Sequence, residues 1–284
     1  MNFVTNYNDL EHRKPWFIKR WARSVTLDGL NFLNGFGAGN RLSLSIPRIQ
    51  FLFFHHVFED EVDSFENLIT LLSRDHEFIS YSEAASRIIN SEIDRPYIAF
   101  SSDDGLHSNL RAAEILERYG ANACFFLNPY AIGLKDVELE EFCANQLHSQ
   151  TVRFLSWDDI DDLISRGHEF GSHTMRHSQV SRMSKEAFVE DLQRSKEVLN
   201  KRCGQAKHFA FPYGKLKHFS REAHQAVFAA GFETCASAER GCHFPHDEAV
   251  SRNDLMLNRD LVTFFSKPEH NLYFVRQNAK KGMR

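Results

Sequence analysis

The chain of 284 residues has no run of 18 or more apolar residues, so no stretch reads as a membrane-crossing helix. Its opening residues lack an apolar core followed by small residues and do not read as an export signal. Cysteine is sparse. Cys124, Cys143, Cys203, Cys235 and Cys242 are scattered, odd in number and form no Cys-x-x-Cys pair. That argues against a disulfide framework and for reduced thiols in a cytosolic protein. Neither sign of charge prevails: 34 Lys and Arg against 38 Asp and Glu leave a net charge of −4. The basic excess of a nucleic-acid-coating protein is missing. No Pro- or Ser-rich linker divides the chain after residue 45, and no repeat of fixed length is visible. What is present is ordinary globular composition, 42% hydrophobic and 25% charged, with 26 phenylalanines to fill a core.

Residues 1–45 differ from the rest and are read as an N-terminal extension to a domain spanning 46–284. Arg13, Lys14, Lys19, Arg20 and Arg23 cluster with Trp16, Phe17, Ile18 and Trp21, and no acidic residue interrupts positions 12–27. The plain reading is a helix packed on the main domain with its cations in water. The alternative is a helix lying on an anionic membrane surface. The Gly-rich stretch Gly35–Gly39 has no strand before it and reads as a connection, not a phosphate loop.

From residue 48 short apolar runs alternate with helical periodicity. Strands are expected at Ile49–Phe54, Phe78–Tyr81, Tyr97–Ser101, Ala123–Leu127, Glu169–Ser172, His208–Phe211, Phe232–Ala236 and Leu261–Phe265. Helices are expected between them, started by Ser156, Ser184 and Ser220 and stopped by Gly120, Gly167 and Gly231. Repeated βαβ units in this length favour an α/β fold, a distorted (β/α) barrel of seven or eight parallel strands, which needs roughly 250 residues. Such a barrel carries its site at the C-terminal ends of its strands. Three polar clusters fall at those ends: Asp103-Asp104-Gly105, His173-Thr174-Met175-Arg176-His177 and Phe211-Pro212-Tyr213-Gly214. Each alone reads as a turn, a cap or solvated histidines. Together on one face they offer two imidazoles and a carboxylate, a common set for a catalytic divalent metal, with a second carboxylate left free as a base. The Tyr213 backbone N–H is placed to stabilise an oxyanion.

These clusters, in this order, resemble the polysaccharide deacetylase family with the NodB homology domain, members of carbohydrate esterase family 4, over roughly residues 48–265. Ser101–Gly105 is similar to its Thr-Phe-Asp-Asp-Gly motif, and His173–His177 matches its His-Ser/Thr-x-x-His motif. Phe209–Gly214 resembles the third motif, and Phe54-His55-His56-Val57 its first strand end. The resemblance implies a metal-dependent hydrolase that removes an N-acetyl group from a sugar. Asp104, His173 and His177 would hold one divalent ion, usually Zn2+. Asp103 would be the general base, Tyr213 an oxyanion donor, and Thr174 would orient the region of His177.

The match has departures. Ser102 stands where the family has Phe. The family's Arg two residues before the third-motif Pro is Ala210 here, and Arg259 is the expected replacement that orients Asp103. No Leu-x-His motif supplies a general acid, so His55 is chosen, while His243 and His246 are expected in a solvent-exposed loop. The expected substrate is an intracellular nucleotide- or lipid-linked sugar in surface-glycan biosynthesis, with the protein cytoplasmic and in peripheral contact with a membrane surface. Two alternatives stay open: hydrolysis of another amide or ester, such as a formyl group, at the same site, or a non-catalytic sugar-binding barrel. Ile132–Thr151 reads as an insertion over the barrel mouth that shapes substrate choice, or as a surface helix.

Overall fold

The computed structural model describes residues 3–10, 22–30, 44–247, 251 and 253–283. The basic-aromatic residues from Arg13 to Trp21 and the stretch Gly35–Gly39 lie outside the described residues.

Among the described residues nine strands form one sheet: β1 (Arg48–Phe54), β2 (Glu77–Phe78), β3 (Pro96–Ser102), β4 (Ala123–Leu127), β5 (Glu169–Ser172), β6 (His208–Ala210), β7 (Thr234–Ala236), β8 (Met256–Leu257) and β9 (Arg259–Leu261). Their order is β8-β7-β6-β5-β4-β3-β1-β9, every neighbour parallel, with β2 beside β3. The two ends of that order are consecutive in the chain, separated by Asn258 alone. One run, Met256–Leu261, thus pairs β7 with its first half and β1 with its second, and the sheet closes into a distorted barrel.

Helices α1 (Val62–Leu72), α2 (Tyr81–Ile89), α3 (Asn109–Arg118), α4 (Asp136–Asn145), α5 (Trp157–Ser165), α6 (Lys185–Cys203), α7 (Arg221–Ala229) and α8 (Pro268–Ala279) connect the strands. A serine side chain caps four of them. Ser80, Ser156, Ser184 and Ser220 each accept from the N–H three residues on, which satisfies a donor that a helix start leaves orphaned. The Ser80 cap places Tyr81 in α2, so the expected strand Phe78–Tyr81 is shorter, ending at Phe78. The expected last strand, Leu261–Phe265, also moves: the pairing run ends at Leu261 and Phe264 packs outside it against Phe54 and Phe65.

Alternate residues along the strands face opposite ways. Leu52, Phe54, Ile98, Phe100, Phe125 and Phe209 meet the outer helices. Ile49, Phe51, Tyr97, Ala99, Phe126, Ala210 and Ala236 point inward. At the strands' N-terminal ends α2 plugs the barrel, with Tyr81 against Phe51, Phe126 and His208. Each fully buried Phe contributes roughly 1.5–3 kcal/mol by leaving water. The opposite end is left to polar residues.

The N-terminal residues lie against that polar end. Val4 N–H donates to Thr151 at 3.2 Å, Glu59 N–H to Thr5 at 3.0 Å, and Tyr7 N–H to Asp60 at 2.7 Å. Residues 22–30 are helical, and Asp28 pairs with Lys267 and His270 of α8.

Candidate metal centre

Every candidate residue except Arg259 sits just past a strand's C-terminal end. Asp103, Asp104 and Gly105 follow β3; His173 to His177 follow β5; Phe211 to Gly214 follow β6; His55 follows β1. The turns are tight. Among the described residues seven non-glycines have positive φ, and Asp104 (+73°), Thr174 (+62°), His177 (+56°) and Tyr213 (+66°) belong to this one site. Such conformations cost free energy and persist where the surroundings hold them, which is common at functional sites. Gly105 (φ +70°) is required: a Cβ there would stand 2.7 Å from Leu127 Cδ2.

The turns bring Asp104, His173 and His177 together, their nearest ligand atoms all within 4.8 Å of one another. They are the one such group of histidine, cysteine and acidic side chains among the described residues. Asp104 Oδ1 lies 3.6 Å from His173 Nε2 and 3.5 Å from His177 Nε2, is buried, and has no hydrogen-bond partner. Two ligands about 2.0–2.1 Å from one tetrahedral ion stand about 3.4 Å apart, so the spacing fits a zinc-sized cation. An orphaned carboxylate oxygen facing two imidazoles also lacks the partner that a cation would supply.

The rings are oriented from behind. His173 Nδ1 donates to the Ala210 carbonyl at 2.7 Å, and His177 Nδ1 to the Gln146 carbonyl at 3.1 Å. Both bonds leave Nε2 free toward Asp104, the usual support of metal-ligating histidines. Burial pushes His173 down to about 4, so it is neutral, the ligating form. The loop itself is held by Asp191 of α6, which accepts from Met175 N–H at 3.0 Å, by Asn128, which donates to the Thr174 carbonyl at 3.1 Å, and by Thr174 Oγ1, which accepts from Ser178 N–H at 3.0 Å. Sequence reasoning did not find Asp191, Asn128 or Gln146. Nothing in their local pattern marks them; they reach the loop only through the tertiary fold.

Asp103 is buried beside the triad and gripped by Arg259, whose two terminal nitrogens donate to its two oxygens at 2.7 and 2.9 Å. The guanidinium lies between Phe53 and Phe126, 4.4 and 5.1 Å from the ring centres, and its Nε donates to the Ser237 carbonyl. Burial would raise the Asp103 carboxyl. Arg259, with help from His173 and His55, outweighs it and holds it at about 2. Asp103 is therefore a carboxylate at any physiological pH.

Ser102, the departure from the family pattern, is a link. Its Oγ donates to the His55 carbonyl at 3.2 Å and accepts from Asn109 Nδ2 at 2.9 Å, while that same amide donates to the His55 carbonyl at 2.9 Å. The pair ties the ends of β1 and β3 together at His55. Tyr213 is 41% exposed, with its ring 5.2 Å from that of His177, and no group among the described residues accepts from its backbone N–H.

His243 is a correction. It is not solvent-exposed but 8% accessible, its backbone bridged to Ile49 at the start of β1 and its Nε2 accepting from Asn258 N–H at 3.3 Å. It lies at the barrel end away from the triad, and burial lowers it to about 4. His246 is exposed as expected. All five cysteines are free.

Among solved structures, the chain is similar to IcaB from Ammonifex degensii, with 19% identity and a TM-score of 0.63 over 82% of this chain and 97% of that one. The deacetylase PplD of Streptococcus pyogenes, solved in complex with acetate, gives 19% and 0.62 over 81% and 97%. A de-N-acetylase from Aggregatibacter actinomycetemcomitans gives 16% and 0.62 over 80% and 99%. At these identities the likeness is one of fold. No curated protein sequence matches. The sequence profile described as polysaccharide deacetylase matches residues 90–235, half of the chain, and takes in both the Asp-Asp-Gly and the His-x-x-x-His clusters. With the barrel and the Asp-His-His group in place, the chain belongs to the polysaccharide deacetylase family, metal-dependent hydrolases that act on N-acetyl groups.

Proposed function

We propose that this chain removes the N-acetyl group from a sugar at a centre formed by Asp104, His173 and His177. The observation that carries the reading is the orphaned Asp104 oxygen facing two back-supported imidazoles, beside an ionised Asp103. A divalent ion held there, zinc in the usual case, would polarise the acyl carbonyl and make the attacking water acidic enough for so weak a base as Asp103. The water oxygen adds to the acyl carbon while Asp103 takes its proton. Arg259 keeps Asp103 charged and aimed. The Tyr213 N–H donates to the oxyanion. His55 returns a proton to the sugar nitrogen as the C–N bond breaks, leaving acetate and a free amine.

For the substrate we propose a nucleotide- or lipid-linked sugar in surface-glycan assembly at the cytoplasmic side of a membrane. Support comes from the sequence of the 1–45 extension, whose cluster of five cations among aromatic residues from Arg13 to Arg23 suits an anionic phosphate surface. No helix among the described residues is long and apolar enough to cross a membrane.

Elemental mass spectrometry of the purified protein beside His173→Ala tests the centre. About one divalent ion per chain, lost in the variant, is the expected result. No ion in either, even after reconstitution with zinc, overturns hydrolysis and leaves a sugar-binding barrel. The loaded enzyme is then given N-acetyl, N-formyl and O-acetyl sugars, free, nucleotide-linked, lipid-linked and polymeric. Release of acetate from N-acetyl phosphate-linked sugars is expected, and His55→Ala should lose roughly 10²–10⁴-fold. Turnover of the polymer alone overturns the substrate assignment, and a loss below tenfold removes His55.

A further inference from the structure

The excursion between β4 and α5 is more than a cover. Leu139, Phe142 and Cys143 of α4 bury against Leu106, Val152 and Phe154 and fix the helix to the barrel mouth. Beyond Asn128, which donates to the His173 and Thr174 carbonyls, the excursion touches the ligand loop three times. Tyr130 N–H donates to the Met175 carbonyl at 3.1 Å, the Arg176 guanidinium lies 3.4 Å from the centre of the Tyr130 ring, and the Gln146 carbonyl accepts from His177 Nδ1 at 3.1 Å.

The third contact has a chemical consequence. A neutral imidazole carries a single N–H. Placing it on Nδ1 turns the Nε2 lone pair toward Asp104. For His173 the same service comes from Ala210, at the end of barrel strand β6. For His177 it comes from Gln146, the C-cap of α4 and not a barrel residue. The two histidine ligands are therefore set by different parts of the fold, one rigid and one an excursion held by a small apolar cluster of its own.

We propose that α4 and its C-cap Gln146 form a positioning element for the metal centre, which holds His177 in its ligating tautomer and thereby sets metal affinity. The proposal rests on the reading of the triad as a metal centre. Undocking α4 frees His177 to carry its proton on either nitrogen and to swing from Asp104, while His173 stays in place. Outer partners of this kind are worth 10–100-fold in affinity.

Two measurements test it. The first is nitrogen-15 NMR of the His177 ring in the intact, metal-free protein at pH 8. A proton on Nδ1 is expected, and a proton on Nε2 overturns the proposal whatever else the protein binds. The second is the zinc dissociation constant from competition with a chelating dye. Phe142→Ala, which removes the main anchor of α4, should weaken zinc binding about 10–100-fold. Phe142→Leu should restore most of it. Leu72→Ala, equally buried but on α1, should cost stability and leave zinc affinity unchanged. A folded Phe142→Ala that binds zinc within twofold of the native chain overturns the positioning role, as does an equal loss in Leu72→Ala. A native chain that binds no zinc overturns the metal reading instead, and the tautomer measurement then judges the contact alone.

Discussion

At Asp103 two opposed effects meet. Burial disfavours its charge, and the guanidinium of Arg259 restores it and prevails. Arg259→Ala removes the winning side. The Asp103 pKa should then rise, carrying the acid limb of the kcat/KM profile to higher pH, and activity should fall. Stability should drop by roughly 3–5 kcal/mol, the usual cost of leaving one partner of a buried pair alone. The linkage has a definite sign. The folded value of about 2 lies below the ordinary 3.8, so the pair's contribution is full above pH 3.8 and is lost as pH falls toward 2. A variant whose pH profile overlays that of the native chain would remove Arg259 from the positioning role.

The loops that hold the site depend on backbone shapes few residues adopt. Gly105→Ala would put a side chain into a left-handed turn and onto Leu127. We expect a loss of roughly 1–3 kcal/mol in denaturant unfolding, with weaker metal retention because Asp104 precedes it. Unchanged unfolding and metal content would show that the turn relaxes at no cost. Much at this scale was legible beforehand. The serine starts at Ser156, Ser184 and Ser220 and the apolar runs of β1, β3 and β4 are local signals, and the structure has them where the sequence placed them. The C-terminal helix α8 was not legible, since His270, Asn271 and Asn278 on its buried face break the apolar stripe. Their polar groups meet Asp28, Thr263 and Asp260, partners distant in the sequence or set by the fold.

For the molecule as a whole, buried neutral histidines make acid the vulnerable direction. His76 donates from Nδ1 to Leu72 and accepts at Nε2 from Arg48, and burial with that neighbouring cation lowers it to about 3. His243 lies at about 4 through burial. Unfolding returns both to about 6.5. Between pH 6.5 and 4 the unfolded chain takes up protons that the folded one refuses, so stability falls with pH, by about 1.4 kcal/mol per pH unit for each histidine. Asp191 works the other way. Burial raises it to about 6, so its proton adds stability as pH drops through 6 and offsets about one histidine. Urea unfolding at pH 7, 6 and 5 should show the net decline, and His76→Gln with His243→Gln should lessen it, while His56 and His173, both lowered to about 4 by burial, keep part of it. A native chain equally stable at all three pH values would contradict this account.

What the sequence determined by itself was the set of parts whose signals are local: alternating apolar runs, serine caps, and three polar clusters at strand ends with the residue types a hydrolytic metal site needs. That was enough for the barrel and for Asp103, Asp104, His173, His177 and Tyr213 as one group. Arg259 was also named from the sequence as the group that orients Asp103, but the tertiary structure decided its setting and the rest. Arg259 and Asp260 lie in a closing strand that their charges disguise, because only the folded barrel supplies Asp103 for the one and Gln50 and Asn278 for the other. Gln146 and Asp191 act through space on a loop they do not adjoin in sequence. A side chain's partner across the fold leaves no mark on its neighbours in the chain, and it is partners of that kind that orient His173 and His177 and keep Asp103 charged.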